Sequence, residues 1–369
     1  MRVAILHTAF IGDLALAGLL VEALHVAGHV VVLASNRAGL ALYARDRRVA
    51  ERVLIRKGKG IAKVASVMDC ARALNALRLD VLLVPHRSLT SSLIARLARV
   101  PRIVGFGSAS GAFLFDEKAP YPAGMHESLR MLDLAPSDLV PDNVRATLAA
   151  HGAPILRPEG PPRALFAAHP RLVAPGSRYF VVSPGSVWAT KQYPAEAFAD
   201  AARLLLEGDP HLLCVLSGGP SDAVATNAFL TAAAAWPEEH RARLVDAIDC
   251  IPLEDLPAVL ASASVSLAND SAPLHVACGV GTPVVGVYGP TSTDTGYGPS
   301  GTRARAVNYA TEHGAALACQ PCSKHGHGQC PLGHFRCMRL LPATTVARVA
   351  REVAQPFEEV IHSESAAPR

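Results

Sequence analysis

Two doubly wound α/β domains in tandem are the fold this sequence predicts, and three observations predict it. Short apolar runs alternate with segments of helical spacing, in two separate series. A proline-rich stretch divides the series. Turns rich in Gly, Ser and Asp follow the carboxyl ends of the apolar runs, where ligands bind in such sheets. The 369 residues suit two domains, and with half of them hydrophobic and 18% charged there is material for two cores. A disordered chain is excluded.

The first series opens with a strand over 2–7, a turn over 8–12, a helix from Asp13 to residue 27 and a strand over 29–34. Helices are predicted over 70–79, 89–98, 125–132 and 144–151, with strands over 81–85 and 102–105. The Gly/Ser-rich stretch 105–111 is expected to be a mobile loop. Prolines crowd residues 152–177 and break the alternation. The second series has strands over 179–184, 212–217, 244–247, 265–268 and 283–288. Its helices cover 195–207, 224–235, 256–263, 273–279 and 344–353. The domains are therefore drawn at 1–165 and 179–345, with a linker over 166–178 and a C-terminal helix and tail over 346–369.

Charge divides unevenly. Residues 1–175 hold 22 Lys/Arg against 13 Asp/Glu, and the remainder 13 against 18. A basic first half suits an anionic partner or ordinary solubility. No basic face is studded with aromatics, so nucleic acid is not an expected partner. No apolar run reaches 18 residues, and Gly12-Asp13 interrupts the only stretch resembling a leader, so a cytoplasmic location is expected. Cys70, Cys214, Cys250 and Cys278 are scattered and expected to be small buried hydrophobes.

Five segments carry candidate chemistry. Gly12-Asp13 follows the first strand, where Asp13 is either a helix cap or a general base facing the cleft. A helix start lowers the basicity of a carboxylate, so a base there needs burial or acidic neighbours. The segment from Ser183-Pro184-Gly185-Ser186 to Thr190-Lys191-Gln192-Tyr193-Pro194 outlines a diphosphate site. Its turn offers backbone N–H groups, Ser186 and Thr190 offer hydroxyls, and Lys191 offers positive charge; the spacing is not that of an ATPase loop. Gly218 and Gly219 would let a base or ribose lie against the backbone, or simply make a tight turn. Asp270, Ser271, Ala272 and His275 stand at a helix start that can hold phosphate, although His275 also suits a hydrogen-bonded core position. Gly289-Pro290-Thr291 ends a further strand on the same side, as a donor contact or a structural turn.

Taken in this order, these segments resemble glycosyltransferase family 9, the ADP-heptose:lipopolysaccharide heptosyltransferases. Val84-Pro85-His86-Arg87-Ser88 is similar to the heptosyltransferase II branch. The resemblance covers nearly the whole chain. It implies a GT-B architecture, two Rossmann-like domains facing across a cleft. It implies inverting transfer of heptose from ADP-heptose to the lipopolysaccharide inner core, with no metal or cofactor required. Asp13 would be the base; Ser186 and Lys191 would bind the diphosphate, and Asp270, Ser271, Ala272 and His275 would complete the donor site. Ala272 stands where many relatives have Gly. An anionic acceptor gives Arg56, Lys57, Lys59 and Lys63, with Arg87 and Arg102, something to hold, and peripheral inner-membrane contact is expected with it.

Cys319, Cys322, Cys330 and Cys337 cluster late in the chain with His325, His327 and His334. They are candidate ligands of a structural zinc, with free thiols or a disulfide as the alternative. Another GT-B sugar-nucleotide enzyme, such as an epimerase, and a non-catalytic nucleotide-sugar binder are the competing functions.

Overall fold

Each half of the chain builds a six-stranded, wholly parallel sheet, and the two sheets have the same strand order. The structure is a computed structural model and describes residues 1–56 and 62–355. The first sheet contains β1 (Arg2–His7), β2 (Val30–Ser35), β3 (Val49–Leu54), β4 (Val81–Val84), β5 (Arg102–Phe106) and β6 (Glu117–Ala119). Their order is β3-β2-β1-β4-β5-β6. The second contains β7 (Arg178–Ser183), β8 (Leu212–Leu216), β9 (Leu244–Asp246), β10 (Ser266–Asn269), β11 (Val284–Tyr288) and β12 (Ala304–Asn308). Their order, β12-β11-β10-β7-β8-β9, repeats the first. In both sheets the order reverses beside the first strand of the domain. That is where parallel sheets open a crevice at their carboxyl ends.

The central strands are buried along nearly their whole length, as parallel strands covered on both faces must be. The sequence pattern omits β3, β6 and β12. All three lie at or next to a sheet edge and mix charged with apolar residues, as in Glu51-Arg52 and Glu117-Lys118. One apolar cluster runs from Val3 and Leu14 through Leu139 and Leu156 to Val181 and Leu274, so the facing layers of both domains share a core. Outer clusters back each sheet separately. The last helix, Ala343–Ala354, packs on the helix Ala195–Gly208 in the second domain.

Three expectations need correction. The first helix is two, Ile11–Leu16 and Gly18–Val26, joined at Ala17. The stretch 105–111 is packed: a Cβ on Gly105 would stand 2.1 Å from the Phe115 ring and one on Gly111 2.5 Å from Ser92. The proline-rich residues 152–177 include ordered parts: Leu156, Leu165 and Leu172 are buried and a helix forms at Arg163–Ala168. The Leu156 amide donates to the Gly279 carbonyl at 2.7 Å, and Arg45 pairs with Asp255 across the domains at 2.5 Å. Cys70, Cys214 and Cys278 are buried as expected, but Cys250 is exposed. No helix among the described residues is long and apolar enough to cross a membrane.

Just after the break, Gly18 lets the second helix approach the backbone of Ile155. A Cβ there would lie 2.3 Å from the backbone oxygen of Ile155, which a side-chain rotation cannot relieve. Gly18→Ala is expected to destabilise the fold by about 1–3 kcal/mol, because overpacking outweighs the helix propensity gained, about 1 kcal/mol. A urea midpoint that falls with unchanged slope checks this; an unchanged or higher midpoint refutes it.

Candidate active site

β1 ends at His7, and the chain turns over Thr8–Phe10 into the helix Ile11–Leu16. Asp13 is the third residue of that helix, not its cap. Its Oδ2 accepts from the Phe10 amide at 3.2 Å. Gly12 permits a close crossing with the helix Ala272–Gly279 of the other domain. A Cβ on Gly12 would stand 3.1 Å from the His275 ring and 3.7 Å from the Ala272 Cα. The first helix of one domain is thereby set on the first turn of the helix Ala272–Gly279 in the other.

Asp13 is half-buried. Burial, reinforced by the negative charge of Glu127, pushes its pKa up to about 6. The Phe10 amide, a hydrogen bond from the Tyr297 hydroxyl and the positive charge of Lys191 work in the opposite direction. The acid-strengthening effect of a helix start is thus overcome, and the carboxylate has a basicity suited to proton transfer near neutral pH.

Lys191 reaches the same region from the loop after β7. Its Nζ lies 2.6 Å from Asp270 Oδ2, and both side chains are largely buried. The Thr291 hydroxyl donates to the same Asp270 oxygen at 2.7 Å. Asp270 and Thr291 therefore aim the ammonium group. Asn269 fastens the loop to the neighbouring strand end: Oδ1 accepts from the Tyr193 amide at 2.9 Å, and Nδ2 donates to the Pro184 carbonyl at 2.7 Å. Gly185 leaves no room for a Cβ, which would meet Asp222 Oδ1 at 2.1 Å; Asp222 Oδ2 accepts from the Gly219 amide at 3.0 Å.

The remaining donor-side residues differ in what they leave free. Ser186 lies half-exposed on the loop, and its carbonyl accepts from Gln192 Nε2 at 2.8 Å. The Thr190 hydroxyl is already committed, accepting from the His327 amide at 2.7 Å and donating to the His327 carbonyl at 3.0 Å. Gly218 is small for packing reasons, since a Cβ would lie 2.6 Å from Thr226. A Cβ on Gly219 would meet Asp222 Oδ2 at 4.0 Å, an ordinary contact. Ser271 caps the helix Ala272–Gly279 by backbone alone, while its hydroxyl donates to the Asn269 carbonyl at 3.3 Å. His275 is buried; desolvation lowers its pKa to about 4, so the ring is neutral. Its Nδ1 has no partner among the described residues.

Several site residues escape sequence reasoning. The helix Glu127–Asp133 docks its first turn on a loop of the second domain. The Glu127 amide donates to the Gly296 carbonyl at 2.8 Å, and His126 Nε2 lies 3.1 Å from the Gly298 carbonyl. Glu127 Oε2 accepts from the Tyr121 hydroxyl at 2.6 Å and from Arg130 Nη1 at 2.9 Å. This docking brings Tyr297 to Asp13 and within 6.5 Å of the His275 ring, in an edge arrangement. Phe10 is 70% exposed beside Asp13. The only signal for these residues is the turn chemistry of Gly296-Tyr297-Gly298 and of the prolines near Tyr121.

Of the cations expected to hold an acceptor, Arg87 is exposed and its guanidinium lies 4.0 Å from the centre of the Tyr121 ring. Lys63 is exposed on the helix Ala62–Ala76; Lys57 and Lys59 lie outside the described residues. Arg102 is not at the site. It begins β5, at the far end of the sheet, and is bound to Glu117 and Asp138. The cysteine segment covers the donor loop instead of standing apart. Gly326 approaches Trp188 so closely that a Cβ would be 2.6 Å from its Cβ, and the Cys322 amide donates to the Pro290 carbonyl at 3.0 Å. Its thiols are free, and Cys319 Sγ lies 3.9 Å from His334 Nε2. Among the described residues no group of three or more His, Cys, Asp or Glu is arranged to hold a metal ion.

Comparison with known proteins accords with this arrangement. The structure of E. coli ADP-heptose lps heptosyltransferase II is similar at a TM-score of 0.74 and 18% identity, covering 96% of this chain and 98% of that one. A family 9 glycosyltransferase from Veillonella parvula DSM 2008 also scores 0.74 at 18% identity, over 96% of this chain and 97% of its own. E. coli heptosyltransferase WaaC with ADP-2-deoxy-2-fluoro heptose scores 0.64 at 18% identity, over 95% and 99%. The shared architecture is the GT-B fold. No curated protein sequence matches the chain. The family model described as glycosyltransferase family 9 (heptosyltransferase) matches residues 67–327, most of the chain, and this protein belongs to that family of sugar-transferring enzymes.

Proposed function

We propose that the protein transfers heptose from ADP-heptose to an anionic lipopolysaccharide inner-core acceptor, with inversion at the anomeric carbon. The observation that carries this reading is the meeting, across the domain boundary, of the Asp13 carboxylate with the Lys191–Asp270 pair. Asp13 takes the proton of an acceptor hydroxyl as its oxygen attacks the anomeric carbon. ADP departs from the opposite face with the bonding electrons, so no covalent sugar–enzyme intermediate is needed. Negative charge grows on the departing diphosphate, where Lys191, the hydroxyl of Ser186 and the free N–H groups at the start of the helix Ala272–Gly279 stabilise it. Asp270 holds Lys191 ready, and His275 can meet a ligand oxygen as a neutral imidazole. Arg87 and Lys63, with Lys57 and Lys59, suit the acidic acceptor. That acceptor is anchored in a membrane, so peripheral contact with the bilayer belongs to this reading.

Asp13→Asn is expected to lower kcat by roughly 10²–10⁴-fold while ADP still binds. Near-normal turnover in that variant would leave Asp13 as a helix-end residue only. Lys191→Ala removes a transition-state stabiliser worth about 2.7–4 kcal/mol and should slow transfer correspondingly. An unchanged rate and ADP affinity would refute its role.

Activity needs the ionised carboxylate, so the rate should rise with pH through about 6 and then level off. The groups facing Asp13 are Glu127, Lys191, Tyr297 and neutral His275; Arg37 of a neighbouring helix is exposed, and Glu22 of the following helix is bound to Arg48 and Arg157. Tyr297→Phe removes a hydrogen bond to the charged form and should move the acid limb upward. Glu127→Gln removes a like charge and should move it downward. Rate profiles of the two variants that shift together, or not at all, would contradict this electrostatic scheme.

A further inference from the structure

The helices Ala62–Ala76 and Leu89–Leu97 lie side by side on one face of the first sheet. Their inward residues, Ala71, Leu74, Ile94 and Ala95, are buried against it. Their outward surface is unexpectedly apolar. Leu89, Leu93 and Leu97 recur at a four-residue spacing along one side of their helix. Val64 and Met68 do the same on the neighbouring helix, and Phe113 lies on the short turn that follows Gly111, where a Cβ would stand 3.2 Å from Leu89. These six side chains are between 37% and 74% exposed. A convergence of this kind on one surface is uncommon in a protein that meets only water.

The charges around it are mainly basic. Lys63 and Arg72 stand on the first helix, Arg96 on the second, and Arg99 just beyond its end; all are exposed. Two acidic residues offset them in part, Asp69 against Arg72 at 2.8 Å and Asp116 against Arg96 at 3.5 Å. Lys63 and Arg99 are left to interact outward.

We propose that this face docks on an anionic lipid bilayer, with the leucine stripe and Phe113 entering the headgroup boundary and the basic side chains meeting lipid phosphates. An apolar strip flanked by Lys and Arg is the pattern that lies in such an interface. A second copy of the chain fits it poorly, because pairing the faces would bring the same cations together. The placement also suits the chemistry: Leu89 follows directly on Arg87-Ser88 at the carboxyl end of β4, so the stripe begins at the acceptor side of the cleft. The inference rests on the proposed lipid-anchored acceptor only for its purpose, not for its physics.

The test uses the full chain with vesicles of phosphatidylcholine alone and vesicles containing phosphatidylglycerol. Wild-type protein should co-sediment with the anionic vesicles, more weakly in high salt. Leu93→Glu/Leu97→Glu should bind them at least about tenfold less, since it removes apolar anchors and adds like charge. The same variant should transfer heptose normally to a delipidated, water-soluble acceptor, which also establishes that it is folded. Phe113→Ser, at the most exposed position, should weaken binding in the same direction. Absence of wild-type binding, equal binding by the double variant, or a concentration-dependent dimer that the variant abolishes without vesicle binding would overturn the proposal. Vesicle binding that is lost in the variant, from a protein that transfers no heptose, would support the docking face and count against the proposed reaction.

Discussion

The close crossing of the helices Ile11–Leu16 and Ala272–Gly279 is the constraint on which the site depends. The two sheets have the same order, and each presents strand ends and helix starts to the crevice, but neither alone brings a carboxylate of raised pKa near a buried lysine. The carboxylate is in the first domain and the ammonium group in the second. Gly12 allows the helices to meet at the His275 ring without a Cβ between them. With that spacing, Asp13 feels both Lys191 and Tyr297 from the other domain.

The electrostatics follow from this docking. A carboxylate in the first turn of a helix is ordinarily a weaker base than one in water. Here the apolar core shared by the domains limits its hydration, and Glu127 adds a second negative charge. Glu127 can remain buried because Arg130 and Tyr121 both donate to it, so the like charge beside Asp13 is itself supported. Opposing this, Lys191 and Tyr297 keep the Asp13 pKa from climbing further. Its basicity is a balance between burial and three side chains from both domains, Glu127, Tyr297 and Lys191.

Much of the fold was legible because parallel strands covered on both faces are continuous apolar runs and their turns are chemically marked. β1, β4, β7 and β10 are legible in this way, with Asp13, Lys191 and Asp270 in the segments that follow β1, β7 and β10. β3, β6 and β12 are not, since strands at or beside a sheet edge can carry charge on the exposed side. Glu127, Tyr121 and Tyr297 were missed for a different reason. They belong to irregular segments that approach the site only when the domains dock, and no local spacing encodes that approach. Thr190 and Gly218 show the converse: the turn chemistry was recognised, but a backbone staple to His327 and packing on Thr226 account for much of what those residues do.

The bond from the Leu156 amide to the Gly279 carbonyl constrains how the two domains can move apart. The helix Ala272–Gly279 is held at its start by the first domain and at its finish by the segment joining the domains. Any widening of the crevice must therefore strain this helix from both ends or carry the joining segment with it. The joining segment is thus no slack tether, and the two domains are linked through it as well as through their facing cores.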